Sequence, residues 1–165
     1  MNHRSYLLEL ASRSEFRPRA FPESGIVIVQ AGTSDADVCR RLWCEVGQGF
    51  WTERADWTLE RWRSHLANAV VTFWIAKKLQ EEIGFFELSR DGENIKLEGF
   101  GLLPRWRGRG LGGGLLSAAT QQAFDAGATR IWLHTATDDH PNALPNYQKR
   151  GYRIYREDAL ENPMS

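Results

Sequence analysis

A strand-like run, Ile95–Leu103, meets Pro104-Arg105-Trp106-Arg107-Gly108-Arg109-Gly110-Leu111-Gly112-Gly113-Gly114, and then a helix-like run, Leu115–Ala126. Strand, glycine-rich turn and helix together constrain the chain more than any other stretch, because the arrangement binds phosphate. Glycines let the backbone approach an anion and turn several N–H groups toward it. The start of the following helix adds partial positive charge and unsatisfied donors. Arg105, Arg107 and Arg109 surround those amides with forked cations that match phosphate oxygens.

Two phosphate motifs fit the stretch. Gly108-x-Gly110-x-x-Gly113 matches a dinucleotide fingerprint. Its context is wrong: Pro-Arg-Trp-Arg separates strand from glycines, and the next strand, Arg130–Thr135, lacks the acidic end that would hold a ribose. Arg107-x-x-Gly110-x-Gly112 resembles the Arg/Gln-x-x-Gly-x-Gly/Ala signature of the GNAT family of N-acetyltransferases. Further on, Ala143-x-x-x-Tyr147-x-x-x-Gly151-Tyr152 resembles that family's segment after its fifth strand. The resemblance spans residues 80 to 157 in the family's order. One departure stands out: His140 lies three residues before Ala143, where many members carry Asn.

The resemblance implies acetyl-CoA as co-substrate and no metal. It assigns the cofactor to Arg105, Arg107, Gly108, Arg109, Gly110, Leu111, Gly112, Gly113, Asn142 and Tyr147, with the backbone of Leu102 and Leu103 pairing with pantetheine. Glycine inside a strand suggests a bulge or a close backbone approach. Gly99 and Gly101 therefore suit the bulge that splays this family's central strands.

Acetyl transfer to an amine needs a proton acceptor for the nucleophile, a donor for the oxyanion and a donor for the departing thiolate. By its motif position Tyr147 is the thiolate's donor, and a backbone N–H near Leu102 polarises the carbonyl. The base stays open. Lys96 occupies the position where well-known members place Glu. Glu98 and Glu87 are candidates, as water relays or as anchors for a cationic substrate; His134 and His140 are alternatives. Trp51 and Trp57, in the loop Phe50–Trp57, either line the acceptor pocket with Glu87 or close the core beneath the loop.

The order β-α-α-β-β-β-α-β-α-β implies an α/β (α+β) fold, one mixed sheet with helices on both faces. At 165 residues the chain suits a single acetyltransferase domain with a 1–25 arm, a 26–157 core and a 158–165 tail. Tyr6–Leu10 is expected at a sheet edge. Asp91-Gly92 is expected to form the hairpin turn that joins Ile83–Leu88 to Asn94–Leu103, pairing Arg90 with Glu93 and Glu87 with Lys96.

Net charge is zero, with 21 basic and 21 acidic residues, so neither nucleic acid nor a membrane is an expected partner. No apolar run reaches membrane-spanning length. Cys39 and Cys44 are five apart on a helix-like stretch and point in different directions, so buried free thiols and a cytoplasmic setting are expected. The acceptor is expected to be a small-molecule or peptidyl amine, and the chain a monomer or homodimer. Two other functions compete: a non-catalytic acyl-CoA sensor, motivated by Lys96, and a dinucleotide-binding oxidoreductase.

Overall fold

A computed structural model describes residues 3–159. The strands are β1 (Arg4–Leu10), β2 (Ile26–Gln30), β3 (Val71–Lys78), β4 (Glu81–Asp91), β5 (Asn94–Leu102), β6 (Arg130–Ala136) and β7 (Arg153–Ala159). The helices are α1 (Ala36–Gly47), α2 (Leu59–Leu66), α3 (Gly112–Asp125) and α4 (Ala143–Lys149). All strands join one mixed sheet in the order β2-β3-β4-β5-β6-β1-β7, the α/β fold expected. No helix among the described residues is long and apolar enough to cross a membrane. Residues 160–165 of the expected tail lie outside the described residues; 158–159 belong to β7.

The N-terminal segment is not an edge. β1 sits between β6 and β7, antiparallel to both, and buries Leu8 and Leu10 completely. After it, residues 11–25 run back across α3 as a strap. Phe16 packs on Phe124, Arg13 pairs with Asp125, and Phe21 covers Gly114. The Arg17 N–H donates to the Arg150 carbonyl, and the Arg19 N–H to Ser117 Oγ at 2.8 Å.

Gly151 is where the strap meets the end of α4. Its φ is +105°, and a methyl group there would lie 2.1 Å from the Glu15 carbonyl oxygen. Both conditions demand glycine. Gly151→Ala should therefore lower stability by more than about 1 kcal/mol, read as a lower urea midpoint at unchanged slope. An unaltered midpoint would mean that the strap yields freely.

The β4–β5 hairpin turns one residue later than expected. Asp91 faces Asn94 across Gly92-Glu93, so Arg90 faces Ile95 and Ser89 faces Lys96. Only Gly92, at φ +62°, takes a positive φ in this turn. A glycine-first turn leaves Asp91 unstrained, whereas an Asp91-Gly92 type I′ turn forces a positive φ on Asp91 too. Farther along, Leu88 faces Leu97 but Glu87 faces Gly99, which leaves Glu98 as the extra residue of a bulge.

β5 and β6 pair in parallel only from Asn94–Arg130 to Leu97–Leu133. Beyond that point they separate, and the gap opens at the bulge. Helix α1 covers one face of β5: a methyl at Gly99 would meet the Trp43 ring at 2.5 Å, and one at Gly101 would meet Val46 at 2.5 Å. Phe100 faces the opposite way, against Tyr147 of α4. Cys39 is buried, Cys44 partly so, and both are free thiols. Burial pushes the Cys39 thiol up to about 12, which leaves it inert at neutral pH.

Candidate active site

Two clefts meet at the gap between β5 and β6. The first, of about 320 Å³, is bounded by Leu102, Arg107, Gly108, Gly110, Leu111, Gly112, Gly113, Asn142 and Tyr147, with Arg19, Lys149 and Arg150 on its rim. Gly108 and Gly110 take φ of +78° and +77°, left-handed conformations that glycine alone holds without strain. Leu111, at the start of α3, makes no side-chain cap, so the first-turn amides are left for another acceptor. Arg107 reaches back to the Val46 carbonyl at 2.9 Å and lies 5.2 Å from the centre of the Phe50 ring.

The backbone at the gap is set by strand alternation. The Leu103 N–H donates to the Ile83 carbonyl of β4 at 2.8 Å and its carbonyl accepts from the Trp106 N–H at 2.9 Å, so neither group is free for a ligand. Successive residues alternate, which turns Leu102 toward the open side. The expected role therefore rests on Leu102 alone. Arg105 and Arg109 also depart from expectation. Arg105 pairs with Glu81 at 2.8 Å, and Arg109 pairs with Glu23 and stacks on Trp106 at 4.3 Å. Neither borders the cleft, because the left-handed glycines reverse the chain between Arg107 and Leu111.

In place of those two, the strap supplies Arg19 and the end of α4 supplies Arg150. Sequence reading missed both. Arg150 lies one helical turn beyond Tyr147, a spacing that flags it as a neighbour. For Arg19 the only signal was the cluster of basic residues Arg13, Arg17 and Arg19 in a proline-bounded loop.

The second cleft, of about 630 Å³, is lined by aromatic rings and carboxylates: Trp43, Phe50, Trp51, Trp57 and Phe100, with Glu53, Glu98, Asp138 and Asp139. Trp51 and Trp57 thus line this cleft while packing on the core behind it. Glu98 lies 3.2 Å from Lys96, both about three-tenths exposed. Asp139 lies in the turn that follows β6. Its Oδ2 accepts from the Thr135 hydroxyl and from the Ala136 N–H, and the residue borders both clefts. His134 is exposed on the second cleft; His140 packs against Phe50 on the first.

Glu87 borders neither cleft. It is fully buried, held bidentately by Arg54 at 2.8 Å and bonded to His65 Nε2 at 2.9 Å. Both carboxylate oxygens are engaged, so the expected roles as base and substrate anchor give way to a structural one. Burial alone would raise its carboxyl; the hydrogen bonds and charges of Arg54 and His65 outweigh that and hold it below the usual carboxylate range. Arg54 in turn stacks on Trp43 at 3.8 Å and on Trp57 at 4.7 Å. Glu87 thereby pins the loop that walls the second cleft.

Tyr147 stands where the clefts join. Its ring packs on Phe100 and Tyr152, and it borders both cavities. Burial, with the charge of Asp139 nearby, raises its phenol well above the ordinary value and keeps it protonated at neutral pH.

The family model described as "Acetyltransferase (GNAT) family" matches residues 36–152. The chain belongs to this family. A mycothiol acetyltransferase of Corynebacterium aurimucosum is 40% identical over 60 residues, which make up 36% of this GNAT chain and 19% of that protein. A GCN5-related N-acetyltransferase from Sphaerobacter thermophilus superposes with a TM-score of 0.77 at 16% identity, covering 96% of this chain and 50% of the other. A PaiA N-acetyltransferase from Thermoplasma acidophilum, solved with coenzyme A, gives a TM-score of 0.52 at 20% identity, covering 63% of this chain and 75% of that one. The GNAT chain thus spans about a fifth of the curated relative and half of the Sphaerobacter structure.

Proposed function

We propose that this protein is an acetyl-CoA-dependent N-acetyltransferase that moves an acetyl group to a small-molecule or peptidyl amine by direct attack in a ternary complex. The observation that carries this reading is the meeting of a phosphate-type cleft and an acidic, aromatic cleft at one tyrosine. The residues of the first cleft fit the cofactor. Gly108, Gly110, Gly112 and Gly113, the uncapped start of α3 and Arg107 would hold its diphosphate, and the open edge of Leu102 would pair with its pantetheine arm. When bound there, the cofactor supplies the acetyl group as a thioester.

The chain's own groups then divide the work. Glu53, Asp138 and Asp139 attract a protonated amine, and Trp51 and Trp57 flank it, as rings do for cations. Glu98, 3.2 Å from the Lys96 ammonium, takes the amine's proton through water. The backbone N–H of Leu102 steadies developing oxyanion charge. Tyr147 donates its phenolic proton toward the leaving sulfur.

Acetyl-CoA at a hundredfold excess over its dissociation constant should stabilise the protein by about 2.7 kcal/mol. For a chain of this size that raises Tm by roughly 5–10 °C. NAD should give no shift. A shift with NAD and none with acetyl-CoA would overturn the reading in favour of a dinucleotide enzyme. Gly110→Asp should abolish calorimetric binding of acetyl-CoA, since it puts a carboxylate on the anion cradle and strains a backbone at φ +77°. Wild-type affinity in that variant would put the diphosphate elsewhere.

A further inference from the structure

Arg150 is the anomaly of the first cleft. It is only 8% exposed, yet its Nε and Nη1 have no hydrogen-bond partner among the described residues. A buried guanidinium without acceptors is costly unless something else supplies them. Among the described residues no carboxylate pairs with it. Its neighbour is a second cation: a methyl group at Gly113 would lie 2.9 Å from Arg150 Nη1 and 2.9 Å from Arg19 Cδ. Arg19 Nη2 also approaches Gly110, at 3.9 Å from the equivalent point. The strap holds Arg19 there through its backbone bond to Ser117, while Arg17 is tied to the carbonyl of Arg150 itself. Two like charges are thus fixed side by side on a cavity wall, with Lys149 beside them.

We propose that Arg19 and Arg150 form a second anion subsite, which holds the phosphate monoester on the cofactor's ribose. This rests on the acetyl-CoA reading above. The diphosphate already has the glycine loop, the start of α3 and Arg107. A phosphate monoester carries about −1.5 to −2 charges at pH 7 and three acceptor oxygens, which matches two forked cations. The strap, an element outside the family match at 36–152, then becomes part of the cofactor site.

The test is calorimetric binding of coenzyme A and of dephospho-coenzyme A, which lacks only the ribose phosphate. The proteins are the wild type, Arg19→Gln and Arg150→Gln. Wild type should bind coenzyme A about tenfold to a hundredfold more tightly than the dephospho form, the scale of a charge-assisted bond. Arg19→Gln should erase most of that preference by weakening coenzyme A alone, with dephospho-coenzyme A unchanged within about twofold. Arg19 is exposed, so its variant should fold even if Arg150→Gln does not; unliganded melting curves check this. Equal affinity of wild type for the two ligands would overturn the assignment. So would an Arg19 variant that weakens both ligands equally, or neither. A wild type that binds neither ligand would overturn the acetyl-CoA reading itself, and the subsite with it.

Discussion

Glu87→Ala should cost about 3–5 kcal/mol of folding stability, the usual result of removing one partner from a buried ion pair. The loss comes from what stays behind. Arg54, only 11% exposed as a side chain, would keep its charge under Trp43 and Trp57 with no carboxylate to answer it. Total stabilities of small domains run at roughly 5–15 kcal/mol, so this single change approaches the limit of folding. Denaturant unfolding reads it directly. A loss under about 1 kcal/mol would show that water reaches Arg54 and that the loop 50–57 is not pinned through Glu87.

The same pair gives the protein an acid sensitivity of defined sign. The native carboxyl of Glu87 lies below its unfolded value, so its stabilisation is complete above the ordinary glutamate pKa of about 4.3. It fades as pH falls from there through the lower native value. In Glu87→Gln, stability against pH should be flatter below about pH 4.5 than in wild type. Parallel curves over that range would assign the acid loss to other carboxylates.

Tyr147→Phe should lower kcat by about 10²–10⁴-fold, the usual contribution of a general acid. Its dissociation constant for acetyl-CoA should barely change. Phe keeps the ring that packs on Phe100 and Tyr152. Among the described residues the Tyr147 hydroxyl takes part in no hydrogen bond, so the fold loses little when it is removed. Only the proposed proton donor disappears, and its loss should be felt as thiolate charge develops. A folded variant that turns over within a factor of two of wild type would remove Tyr147 from the chemistry.

What the sequence disclosed was local. Strand, glycine turn and helix at 95–126 follow from residue types that few other conformations accept, and Gly99 beside Gly101 marked the bulge within a residue of Glu98. Asn142 and Tyr147, which the family resemblance assigned to the cofactor, border the cleft, and Tyr147 lies one helical turn after Ala143 on the same wall. Contacts made at long range stayed hidden. β1 enters the sheet between β6 and β7, a choice made by partners more than a hundred residues away. Arg105 and Arg109 looked equivalent to Arg107 in a linear motif, but two left-handed glycines and the acids Glu81 and Glu23 turned them outward. Glu87 was expected to face the substrate, as a base or as an anchor for its cation. The bulge and the reach of Arg54 from a distant loop made it the most buried charge of the site.

Cooperation of the two clefts in acetyl transfer to an amine is read from free thiol release by acetyl-CoA across a panel of cationic amines, with each product weighed by mass spectrometry. Release should depend on the amine and be matched one for one by an acetylated product. Calorimetric binding of acetyl-CoA with no thiol released for any amine would contradict it and leave a binding module in its place.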